Sequence, residues 1–98
     1  MRYDFEWDQK KARSNLRKHK VSFERAATIF RDPNLLSIPD DEHSEFEERW
    51  ITMGLDETGN LLVLSHRFES LSPEVSRIRI ISARKGTRKE TEQYEKGI

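Results

Sequence analysis

Residues 75–83, Val75-Ser76-Arg77-Ile78-Arg79-Ile80-Ile81-Ser82-Ala83, decide the fold class. Isoleucines at 78 and 80 alternate with arginines at 77 and 79. That period of two belongs to a strand with one apolar and one charged face. The same period runs upstream through Leu61 to Glu69, Glu48 to Asp56 and Leu35 to Pro39, with a Gly59-Asn60 turn between the first two. Connections of roughly 4–9 residues suit an antiparallel meander better than crossover helices. Before Pro33 the period is helical. Phe23, Ala26, Ala27 and Phe30 predict a helix that Ser22 caps, running through Arg31, and Pro33 stops it. Asp8 is the N-cap of an earlier helix reaching about Lys20, with Ala12, Leu16 and His19 as its inner stripe. Residues 2–7 alternate, with Tyr3, Phe5 and Trp7 on one parity, and predict a short strand. Downstream, Thr87 and Glu90 have the spacing of a capping box and open a short helix to about Lys96. The expectation is an α+β fold: two N-terminal helices packed on a small antiparallel sheet, then a short C-terminal helix.

The 98 residues fit one domain, taken as 1–98, with no room for a second core. Lys and Arg number 18 and Asp and Glu number 18, so bulk charge does not hold the chain on nucleic acid or membrane. The absence of cysteine excludes disulfides, thiol metal sites and thiol nucleophiles. The longest apolar run, Leu61 to Leu64, is far too short for a bilayer, and the N-terminal segment carries acids where a signal peptide needs apolar residues. A soluble cytoplasmic protein is expected.

The charge is segregated. Residues 10–20 and 77–89 each carry six Lys/Arg and no acid, whereas residues 40–48 carry six acids and no Lys or Arg. A solvated surface explains most such runs. In 77–89, however, Arg77 and Arg79 share a strand face at roughly 7 Å, close to the spacing of successive phosphates. Arg84 and Lys85 stand at the strand end and Arg88 opens the next helix. Cations beside a helix N-terminus suit an anion, and the arginine fork fits phosphate oxygens and stacks on bases. The structural alternative is that these cations pair with the acidic run. His43, within that run, reads as a solvated side chain. His66 shares parity with Leu62 and Leu64 and reads equally as a core or a catalytic histidine. His19 reads as a helix-end contact. No two histidines are closely spaced, and there is no glycine-rich phosphate loop, so no metal or cofactor is expected.

Phe5-Glu6-Trp7-Asp8, Asn15-Leu16-Arg17-Lys18-His19, Val21-Ser22-Phe23-Glu24, Glu47-Glu48-Arg49-Trp50, Arg77 to Lys85, Thr87-Arg88-Lys89-Glu90 and Tyr94-Glu95 occur in order along almost the whole chain. Together they resemble the BrnT toxin family. The resemblance implies a RelE-like ribonuclease toxin of a type II toxin–antitoxin system that inhibits translation. It also implies a cognate ribbon-helix-helix antitoxin, through which the complex meets promoter DNA. Two positions depart from the family pattern. Lys20 replaces a common glycine, so the first helix is expected to end differently. Gly86 replaces a usual alanine, which is expected to loosen the link to the last helix.

Cutting RNA through its own 2′-hydroxyl needs a proton acceptor, cations for the phosphorane and a donor to the leaving oxygen. Arg79 and Arg84 are the candidates for charge stabilisation, joined by Arg49 from a neighbouring strand. Arg77, Lys85, Arg88, Lys18 and His19 are the candidates for RNA binding. Glu48 or His66 is the candidate base, and Tyr94 or His19 orients or donates. The competing class is a binding module or corepressor that grips its partner with the same cations and performs no chemistry.

Overall fold

Tyr3 and Phe5 lie on β1 (Arg2–Glu6), the first element. The structure, a computed structural model, describes residues 2–44 and 48–97. Asp8 caps α1 (Gln9–His19), its carboxylate accepting from the Lys10 and Lys11 N–H groups. Ser22 caps α2 (Phe23–Ala27), which tightens into a 3-10 turn at Thr28–Arg31 ahead of Pro33. Four strands follow: β2 (Leu36–Pro39), β3 (Arg49–Leu55), β4 (Leu61–Ser70) and β5 (Val75–Lys85). A further 3-10 turn, Asp41–His43, lies between β2 and β3. The capping box of Thr87 and Glu90 is formed in both directions at the start of α3 (Arg88–Lys96).

The sheet order is β1-β5-β4-β3-β2. Strands β2 to β5 form the expected antiparallel meander, but β1 runs parallel to β5, so the sheet is mixed rather than antiparallel. Two helices separate β1 from the meander, so no hairpin fixes its direction. Its placement follows burial instead: Tyr3 and Phe5 both pack on Phe30 at 5.5 Å. Helices α1 and α2 cover one face only. Val21, Phe23, Ala26 and Ile29 meet Leu62, Leu64, Ile78, Ile80 and Ala83 there.

Three local expectations are corrected. Leu16 is 48% exposed, and Asn15 takes the inward place on α1. The Asn15 Nδ2 donates to the carbonyls of Val21 (3.0 Å) and Ala83 (2.8 Å), and its Oδ1 accepts from the Ala83 N–H at 3.1 Å. Strand β1 leaves β5 after the Glu6–Arg79 pair, so Ala83 lies on an open edge whose polar groups need a partner. Asn15 supplies it. Lys20 ends α1 in the left-handed conformation (φ 60°) that a glycine would favour, its N–H donating to Leu16. The helix therefore ends in the ordinary way, at a cost of about 1 kcal/mol. Gly86 does not loosen its link: a Cβ there would lie 2.7 Å from Leu61 Cδ2, and its N–H donates to the Leu61 carbonyl.

Candidate active site

Strand β5 carries one residue more than β4 at its middle. Ser65 pairs with Ser82 and His66 with Ile80, so Ile81 is the extra residue of a β-bulge. Its consequence is one of parity. Ser76, Ile78 and Ile80 are buried on the helix side, and beyond the bulge the next buried residue is Ala83. Without the extra residue Arg84 would share the parity of Ile80 and point into the core. With it, Arg84 emerges on the same helix-free face as Arg77 and Arg79.

Across that face the register sets arginines opposite one another: Arg79 pairs with Arg67, and Arg67 with Arg49. Neighbouring strands lie about 4.8 Å apart, so three guanidinium stems share one row. Like charges so placed repel, and acids moderate the row. Glu6 lies 3.4 Å from Arg79 and 4.0 Å from Arg77, and Glu69 lies 3.7 Å from Arg77. Glu48 lines the same hollow with Arg67, Arg77 and Arg79. Of the acidic run, residues 45–47 lie outside the described residues. Arg67 is the residue that sequence reading passed over. Its signal is the outward parity left on β4 once Leu62, Leu64 and His66 turn inward.

Beside this row is a cleft of about 270 Å³, with Arg49 and Arg84 on its walls. Ser65 and Ser82 sit in it with Ile51, Val63 and Ile81, and Asp40 and His43 also line it. Arg84 is held by Glu90 of α3 through two bonds, Nη1 to Oε1 at 2.7 Å and Nη2 to Oε2 at 2.9 Å. The bond from Arg84 pulls the Glu90 carboxyl down to about 2, further than its partial burial raises it, and pushes the guanidinium's own pKa up. Arg84 also donates to the Lys85 carbonyl at 3.3 Å. A guanidinium has five N–H donors, so two remain for an anion. The 3-10 turn places His43 so that its Nδ1 meets Asp40 Oδ2 at 2.9 Å.

Several sequence candidates lie elsewhere. His66 is 3% exposed on the helix side, its Nε2 bonded to the Thr52 hydroxyl at 2.7 Å and its Nδ1 donating to the Arg67 carbonyl at 3.1 Å. Burial pushes its pKa down, and its ring meets Phe30 edge-on. Tyr94 donates its hydroxyl to Asp32, and burial followed by that carboxylate raises it to about 12. Lys18 and His19 sit at the end of α1, on the helix layer. Lys85 pairs across from Leu62 on the core parity at the strand end. Arg88 stands out into solvent near Glu92. None of these six joins the Arg49–Arg84 cleft. Among the described residues no group of three His, Asp or Glu has the arrangement of a metal site, and no helix is long and apolar enough to cross a membrane.

Residues 7–90 match the family described as the ribonuclease toxin, BrnT, of type II toxin–antitoxin systems. The chain belongs to the BrnT family. The matched span contains Arg49, Arg67, Arg77, Arg79, Arg84 and Glu90, while Tyr94 falls beyond it. A BrnT toxin of this kind has an antitoxin partner. The structure is similar to the 1.1 Å crystal structure of the Brucella abortus ribonuclease toxin BrnT, with a TM-score of 0.59 and 17% identity. That similarity covers 90% of this chain and 100% of the other. At this identity it bears on the BrnT fold alone. No curated protein matches the sequence.

Proposed function

We propose that the helix-free face of the sheet binds RNA and that the Arg49–Arg84 cleft cuts it without a metal, by attack of the 2′-hydroxyl on the adjacent phosphate. The observation that carries this reading is the bulge at Ile81, which turns Arg84 to the face of Arg79. Phosphoryl transfer of this kind builds charge on the phosphate oxygens in the transition state, and preorganised cations stabilise it. Arg84, held by Glu90, offers its two remaining donors in a fixed orientation, and Arg49 lines the same cleft. Arg79, Arg77 and Arg67 continue the positive face along the strand direction and hold flanking phosphates. The RelE-like architecture and a ribbon-helix-helix antitoxin, through which the complex meets promoter DNA, belong to the same reading. The antitoxin covers this face when it neutralises the toxin.

The test follows a defined RNA with the purified chain, freed of antitoxin, in EDTA. The expected products carry a 2′,3′-cyclic phosphate and a 5′-hydroxyl, and Arg84→Ala loses at least about 100-fold in rate. RNA that is retarded but never cut, with or without ribosomes, refutes the ribonuclease reading and leaves a binding module or corepressor.

A further inference from the structure

We infer that His43, oriented by Asp40, is the group that takes the 2′-hydroxyl proton in this cleft. The inference rests on the site proposed above and adds to it the residue that moves the proton. Four features carry it. First, His43 lines the cleft together with Arg49 and Arg84, so a phosphate held by those arginines brings its ribose within reach of the same walls. Second, Asp40 Oδ2 lies 2.9 Å from the His43 Nδ1. A carboxylate only accepts, so Nδ1 carries the hydrogen and the neutral ring keeps its lone pair on Nε2. Third, that Nε2 has no hydrogen-bond partner among the described residues, and the side chain is 61% exposed. Fourth, Asp40 is itself anchored: its side chain is only 12% exposed, and its carbonyl accepts from the His43 N–H and the Ser44 hydroxyl. The ring is therefore held from behind by a nearly buried carboxylate and open in front.

The other proton acceptors are placed less well. Both nitrogens of His66 are bonded, on the opposite face of the sheet. Glu48 lines the neighbouring hollow with Arg67, Arg77 and Arg79 rather than this cleft. The charged groups lining the cleft with the ring are Asp40, Arg49 from β3 and Arg84 from β5.

Nε2 of His43 takes the proton from the 2′-hydroxyl as the 2′-oxygen forms a bond to phosphorus. The bond from phosphorus to the 5′-oxygen breaks, and that oxygen takes its proton from water. The products are a 2′,3′-cyclic phosphate and a 5′-hydroxyl, with the proton on His43 returned to solvent.

The test measures single-turnover cleavage and, separately, affinity for the same RNA with a 2′-deoxy residue at the cut. For His43→Ala the rate falls about 10²- to 10⁴-fold, the range for a lost general base. Affinity for the deoxy RNA stays within twofold, and added imidazole restores part of the rate with saturation. For Asp40→Asn the rate falls about tenfold at unchanged affinity. If His43→Ala stays within about threefold of wild type while Arg84→Ala is inactive, the His43 inference is overturned and the proposed site stands. A fall without imidazole rescue and with weakened binding also overturns it, making His43 a binding residue. If the wild-type chain does not cut RNA with or without ribosomes, both proposals fail.

Discussion

Replacing Glu90 with glutamine removes a charge from α3 while keeping the side chain's shape and one carbonyl oxygen for the Thr87 N–H. Glu90 is held at about 2 instead of its usual 4.5, chiefly by its bonds to Arg84. At neutral pH a depression of that size corresponds to about 3 kcal/mol. The Arg84 side chain is 43% exposed, so solvent screens the pair and the expected loss is about 1–2 kcal/mol. In a domain of this size that lowers Tm by roughly 5–12 °C. The sign follows from the depressed pKa. The unfolded glutamate titrates near its ordinary value, so the pair's contribution is complete above pH 4.5 and fades as pH falls toward 2. Urea unfolding of wild type and Glu90→Gln at pH 7 and pH 2.5 checks this, read as the difference between the two proteins at each pH. The difference should shrink to a few tenths of a kcal/mol at the lower pH. An equal difference at both values would mean that the Arg84 pair contributes nothing specific to charge.

Three further outcomes follow from the packing. Asn15→Leu strands the Ala83 N–H and C=O and the Val21 C=O, and should cost about 3 kcal/mol, seen as a fall in Tm of more than about 10 °C; a loss below 1 kcal/mol contradicts the role given to Asn15. Lys20→Gly relieves a side chain at φ 60° and should raise stability by about 0.5–1 kcal/mol in chemical denaturation. Gly86→Ala brings a Cβ to 2.7 Å from Leu61, and the overpacking should outweigh the gain in backbone rigidity, lowering stability by about 1 kcal/mol in the same assay.

The faces of β5 were legible because Arg77-Ile78-Arg79-Ile80 alternates without interruption. The bulge was not. Ile80-Ile81 breaks the alternation, but only the register against Ser65 and His66 shows which strand holds the extra residue. The partner of β1 was hidden for a similar reason: strand pairing across two intervening helices is non-local, and the alternation of Tyr3 and Phe5 says which face is inward but not which strand lies beside it. Apolarity at helical spacing favours Leu16 over Asn15, whereas the inward position faces an open backbone edge that the Asn15 amide satisfies. In the sequence His43 reads as solvated, because six acids surround it. Its meaning came from the turn that brings it to a cleft walled by arginines 6 and 41 residues further along the chain. Composition was silent on all of these, since net neutrality conceals a face on which Arg49, Arg67, Arg77, Arg79 and Arg84 gather.

We propose the helix-free face of the sheet as the RNA site. It is tested most directly by single-turnover RNA cleavage in EDTA for Arg79→Ala and Arg84→Ala beside His66→Gln and Tyr94→Phe, each normalised to folded protein. The expected losses are at least about tenfold for Arg79→Ala and about 100-fold for Arg84→Ala, with both other variants within about fivefold of wild type. Wild-type rates for the two arginine variants, with activity lost in His66→Gln or Tyr94→Phe, would contradict it.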